Sequence, residues 1–131
     1  MLILAIAMIS CSALMAQQQP STITNNIAEK EDFSFNETTH DFGKIPQGRP
    51  VTFTFMMKNI SATPVHLTTV QAGCGCTTPK WKSGVYNPNE ETAIEVGYNA
   101  ANVGAFNKTV TIIYDDNKMK TIYIKGEVVK D

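Results

Sequence analysis

Residues 51–57 read Val51-Thr52-Phe53-Thr54-Phe55-Met56-Met57. Apolar and polar side chains alternate, so Val51, Phe53, Phe55 and Met57 share one face of an extended strand. Val, Thr and Phe are the residues that a pleated, half-buried surface accepts. A helix would scatter these four side chains around its axis. The stretch is a strand with one face on a core.

The same period returns on both sides of it. Residues 92–98 align Ile94, Val96 and Tyr98, and residues 108–114 align Val110, Ile112 and Tyr114. Residues 65–70 turn Val65 and Leu67 inward, and residues 120–129 do so with Ile122 and Ile124, where Gly126 reads as a bulge and the terminal strand as an edge that a partner could pair with. Phe33-Ser34-Phe35 opens the set, and residues 41–45 read as its continuation past a kink. Turns separate these runs. Residues 59–64 form one, and Asp115-Asp116-Asn117 forms another, since Asp and Asn tolerate the left-handed region. Asn87-Pro88-Asn89-Glu90 predicts a type II turn with positive φ at Asn89. No segment shows a helical period. The expectation over residues 33–131 is an all-β, immunoglobulin-like β-sandwich of about seven antiparallel strands.

Ahead of the domain, residues 1–16 (MLILAIAMISCSALMA) are uncharged and almost wholly apolar, and the polar Gln17-Gln18-Gln19-Pro20 follows. Sixteen residues are too few for a membrane-spanning helix and match the apolar core of a signal peptide cleaved after Ala16. Residues 17–32 carry no period and read as a flexible leader. The expected location is periplasmic or secreted. The alternative comes from Met8-Ile9-Ser10-Cys11, which is similar to a lipoprotein box; a lipid on Cys11 would anchor the chain in the cell envelope. Only in that case is a membrane a partner.

The 131 residues suffice for one domain, and 43% hydrophobic content lets it bury a core. With 11 Lys plus Arg against 12 Asp plus Glu, there is no basic excess to neutralise phosphates, so nucleic acid is not expected as a partner.

Cys74-Gly75-Cys76 is the segment with chemistry in it. Strand geometry holds alternate Cα atoms roughly 6.5–7 Å apart, at the limit for a disulfide, so a bridge here requires a turn. Gly75 supplies the backbone freedom. Three readings stand: a local disulfide, a soft-metal site for a cation such as Cu(I), or two reduced structural thiols. Met56, Met57, His40 and His66 are the further ligands available to the second. An oxidising, exported setting favours the disulfide. His40 lies near an expected turn and His66 on the solvent face of its strand. Glu90-Glu91 and Asp115-Asp116 fall in turns, where acids are solvated. No nucleophile elbow, phosphate loop or metalloprotease signature occurs, so neither an enzyme nor a cofactor is expected. Trp81, in a connection, is either a binding anchor or a lid over the cysteine corner.

Together, Phe53-x-Phe55, Asn59, Pro64, Leu67, Val70, Cys74-Gly75-Cys76-Thr77-x-Pro79-x-Trp81, Pro88, Ile94-x-Val96-x-Tyr98, Gly104-x-Phe106-x-Lys108 and Gly126 form a pattern over residues 40–129. It resembles the domain of unknown function 1573 family, found in exported proteins of Bacteroidetes. Ile60-Ser61 and Asn89 depart from that pattern, each within a turn. The resemblance implies an immunoglobulin-like module of the binding and scaffolding kind, with no activity to carry over. The expected role is a non-enzymatic binding or scaffolding module whose partner is an unknown protein or envelope component. The alternative is a redox-active or copper-handling protein that uses Cys74 and Cys76.

Overall fold

The structure is a computed structural model that describes residues 30–130. The expected signal peptide, Cys11 and most of the expected leader lie outside the described residues. Nine strands follow in order: β1 (Phe33–Phe35), β2 (Thr39–Pro46), β3 (Val51–Asn59), β4 (Val65–Ala72), β5 (Thr77–Lys80), β6 (Gly84–Tyr86), β7 (Glu91–Tyr98), β8 (Gly104–Tyr114) and β9 (Lys118–Val129). They form two sheets, ordered β1-β3-β7-β5 and β2-β9-β8-β4-β6. The molecule is an all-β sandwich.

The alternating residues meet in the middle. Phe55, Met57, Val65, Leu67, Ile94, Val96, Val110, Ile112, Ile122 and Ile124 are buried from both sheets, with Tyr98 and Tyr114 beside them. Burying each of these large side chains contributes about 1.5–3 kcal/mol, which is what holds the two sheets face to face. Val51 and Phe53 are only half-buried and close the rim.

Three features differ from the sequence reading. Residues 39–46 do not continue β1: the chain crosses to the other sheet, where β2 pairs parallel with β9. One ladder is therefore parallel in an otherwise antiparallel fold. Residues 118–129 are not an edge, because β9 has β2 on one side and β8 on the other. The bulge lies opposite Gly126 and not at it. Asp41 pairs with Lys125 and Lys44 with Glu127, so Phe42 and Gly43 oppose the single Gly126. A Cβ at Gly126 would stand 2.8 Å from both the Gly43 carbonyl oxygen and the Phe106 ring. Gly126 is needed for space.

The turns follow the side-chain chemistry. Asn89 has φ 71° and the Glu90 amide donates to the Asn87 carbonyl at 3.0 Å, as the type II turn requires. Asp115 and Asp116 take φ 47° and 66° between β8 and β9. Asn59, at the end of β3, is 1% exposed. Its Nδ2 donates to the Thr63 and Tyr86 carbonyls at 3.0 and 2.9 Å, and its Oδ1 accepts from the Ser61 amide and hydroxyl at 2.9 and 2.7 Å. One buried amide thus pins the β3–β4 connection to β6.

Candidate functional site: the cysteine corner

Between β4 and β5 the chain passes from one sheet to the other through residues 73–76. Gly73 comes close to β8: its amide donates to the Thr109 carbonyl at 3.1 Å, and a Cβ would stand 2.9 Å from the Thr109 hydroxyl. The Thr77 amide then donates to the Cys74 carbonyl at 3.3 Å, closing a four-residue turn, and the Asn99 amide ties the Cys76 carbonyl to the end of β7 at 3.0 Å. The turn brings the two cysteine Cα atoms to 5.4 Å, inside bridging distance, and the structure joins Cys74 and Cys76 in a disulfide.

Burial divides the corner into an outer and an inner part. Gly75 is exposed, with open space where a Cβ would stand. Both cysteines are half-buried, and Cys76 packs against the core cluster. Beneath them Thr77 is 4% exposed. Its hydroxyl lies 3.8 Å from the sulfur of Cys74 and 3.8 Å from that of Cys76. These sulfurs are the partners of a buried hydroxyl, and sulfur is a weak acceptor.

The remaining candidates are dispersed. His66 is exposed on β4, and its backbone amide bonds Asp115 Oδ1 at 2.9 Å. His40 is in a strand and not a turn; its ring stacks on Phe53 with centroids 3.7 Å apart, and Nδ1 pairs with Glu37 at 3.1 Å. Two strands, β9 and β8, separate the histidines' strands, roughly 14 Å of sheet. Met56 is exposed on the outer face of β3 while Met57 is in the core. None of these four side chains is brought to the cysteine pair. Among the described residues, no group of three or more His, Cys, Asp and Glu is placed to hold a metal ion. Trp81 follows β5, whose four residues carry it roughly 13 Å along the sheet from the cysteines, and there it packs half-buried against the core. Glu90 accepts from the Asn87 side chain at 2.9 Å within its turn.

Thr77 carries the site's least conventional contact, and sequence reasoning passed over it. A threonine after a cysteine signals nothing until burial is known.

The sequence profile described as "Protein of unknown function (DUF1573)" matches residues 33–128, which contain all nine strands but the last residue of β9. The chain belongs to the DUF1573 family. Among curated proteins none matches the sequence. Solved structures do. A protein of unknown function from Porphyromonas gingivalis W83 matches with TM-score 0.63 and 16% identity over 79% of this chain and 51% of that one. The DUF1573 chain thus spans about half of that protein. The ASH/PapD-like domain 7 of human CEP192 matches with TM-score 0.61 and 9% identity, covering 76% of this chain and 87% of that one. The VesB protease of Vibrio cholerae matches over 75% of this chain but only 32% of its own, with TM-score 0.59 and 16% identity. At such identities the likeness shows the fold alone. That fold is an immunoglobulin-like β-sandwich.

Proposed function

We propose that this domain is a non-enzymatic interaction module of the bacterial cell envelope that takes an extended segment of a protein partner at the free edge of β6. One observation carries the reading: the backbone of Val85 is open. The His66 amide and carbonyl both bond Asp115, on the β8 side of β4. Antiparallel strands alternate their bonding direction, so Val85, opposite His66, turns its own amide and carbonyl away from β4. Its side chain is 59% exposed.

The other edges are less open to a partner. Pro79 and Lys80 blunt β5, and the bulge at Phe42-Gly43 with Pro46 blunts β2. At β1, Phe33 is buried and Phe35 half-buried, so no large apolar side chain there is exposed to a partner as Val85 is. β6 carries no proline, charge or bulge. Strand addition to such an edge gains main-chain hydrogen bonds from any extended partner and specificity from the exposed side chain. The apolar residues 1–16 support a periplasmic or secreted location, with a lipid on Cys11 as the route to an envelope anchor.

A photo-crosslinker at Ser83, used in the native host, tests this. A discrete protein adduct that disappears with Val85→Pro, at unchanged melting temperature, supports edge pairing, because proline removes the donor. An adduct indifferent to Val85→Pro overturns it.

The alternative reading concerns Cys74 and Cys76. Copper would need both as thiolates together with further ligands, and among the described residues Met56, Met57, His40 and His66 are not gathered around the pair. Its redox branch is a separate matter from the β6 edge.

A further inference from the structure

The Cys74–Cys76 bridge is redundant as a staple. Its ring encloses three residues, and the backbone of the same corner is already held by the bonds from Gly73 to Thr109, Thr77 to Cys74 and Asn99 to Cys76. The ladder of β5 on β7 fixes the chain beyond. None of these bonds is made by a sulfur, so parting the sulfurs removes none of them. A corner of this kind is organised to close, open and close again.

The Thr77 hydroxyl gives the second half of the case. Buried polar groups ordinarily find an oxygen or nitrogen partner, since leaving one without costs about 1–3 kcal/mol. This one is aimed at two disulfide sulfurs. A thiolate in the same place would be a far stronger acceptor, because hydrogen bonds to a charged partner are roughly twice as strong as neutral ones. The arrangement is therefore better matched to the open state than to the closed one. Access follows the same axis: Gly75 leaves the outer side of the ring open, while Cys76 packs inward.

We propose that the Cys74–Cys76 ring is a thiol–disulfide exchange site, opened by a protein dithiol that attacks the sulfur of Cys74 and expels Cys76 as a thiolate. In the first step the partner's thiolate forms a bond to Cys74 Sγ as the Cys74–Cys76 bond breaks. The electron pair of that bond goes to Cys76 Sγ, where the Thr77 hydroxyl donates to it. In the second step the partner's other thiolate attacks its own sulfur in the mixed disulfide and releases Cys74. Two electrons pass from the partner, which leaves as a disulfide, to the pair, which takes up two protons from water as its pKa values dictate. The site does not depend on pairing at β6, and either can fail without the other.

The test uses the full chain equilibrated in glutathione buffers of graded ratio, quenched with acid and alkylated. Mass spectrometry of the tryptic peptide carrying Cys74 and Cys76 then reads the fraction open. The expected result is a reversible titration within the glutathione range. Thr77→Val shifts the midpoint ratio about tenfold toward the closed ring, as loss of one hydrogen bond to a charged sulfur requires. Thr77→Ser, which keeps the hydroxyl, restores it. A second experiment names the attacked sulfur: Cys76→Ser, which leaves Cys74, forms a mixed disulfide with oxidised glutathione faster than Cys74→Ser does. A ring closed at every ratio overturns the proposal without any variant. So does Thr77→Val titrating with the unaltered chain, and the reverse order of rates overturns the assignment of Cys74.

Discussion

Asn59 and Thr77 are the buried polar residues of the described chain, and they sit at opposite ends of the same sandwich. Thr77 pairs across Tyr98 to the level of Val51, whereas Asn59 ends β3 eight residues on, roughly 26 Å away along the strand. They are held in opposite ways. Asn59 makes four side-chain hydrogen bonds of 2.7–3.0 Å, all to oxygen or nitrogen. Thr77 has two contacts of 3.8 Å, both to sulfur. A buried polar group with every valence taken fixes a structure. One that meets weak acceptors beside a reactive bond leaves interaction energy unused in the state we see, and that energy is available to a different state. The difference separates a structural end from a chemical end.

The largest effect that would break this comparison is expected at Asn59. Asn59→Ala strands the Tyr86 carbonyl and the Ser61 amide in the β3–β4 connection and leaves the Thr63 carbonyl only the Ser61 hydroxyl. The expected loss is about 3 kcal/mol in urea unfolding, with β6 loosened from β4. A loss below about 1 kcal/mol would mean that water replaces the amide, and the structural end would lose its definition. Next comes the disulfide. Replacing Cys74 and Cys76 together by Ser releases a ring of three residues, for which chain entropy predicts a loss of about 1.5 kcal/mol at most. A larger loss in the same unfolding measurement would make the bridge a staple and move the cysteine corner to the structural side. Thr77→Val is expected to cost about 1 kcal/mol or less, since it orphans no acceptor that needs a proton. Parity with Asn59→Ala would erase the distinction altogether.

How far each end was legible in the sequence has a physical explanation. Strands with one buried face announce themselves by alternation, so β3, β4, β7, β8 and β9 were readable, as were the turns at Asn89 and Asp115. β5 was not, because Thr77-Thr78-Pro79-Lys80 buries a threonine and half-buries a proline, which gives no apolar period. β6 is three residues long and paired on one side only. Strand order is a non-local property: nothing in residues 118–129 says that β2 will lie alongside them, so the terminal strand reads as an edge. Asn59 reads as an ordinary turn residue, and the Tyr86 carbonyl that its side chain bonds is 27 residues away. The cysteines were readable as a pair, while the state of their sulfurs and the hydroxyl beneath them depend on a turn whose partners, Thr109 and Asn99, are distant in the chain.

The smallest effect belongs to a third polar atom, at the Asn59 end, and its sign depends on pH. The Tyr114 hydroxyl donates to Asp32 at 3.0 Å, while Phe33 packs its edge against the ring with centroids 4.7 Å apart. Burial pushes the phenol's pKa well above its ordinary 10, and the hydrogen bond to Asp32 with that carboxylate's charge raises it further. Below pH 10 both the folded and the unfolded chain keep the proton, and the shift changes nothing. Above it the unfolded chain gives up the proton while the folded chain still holds it, so the unfolded state binds fewer protons and stability falls as pH rises. Tyr114→Phe removes the hydrogen bond, at a cost of about 0.5 kcal/mol at neutral pH, and also removes the group responsible for the alkaline fall. The difference between the two stability curves carries the contribution of the Tyr114 phenol. The variant's deficit is expected to shrink above pH 10 and then to reverse, as read by urea unfolding between pH 7 and 11. Parallel curves would mean that neither burial nor Asp32 holds the phenol's proton in solution. In that case Asn59 alone would define the structural end.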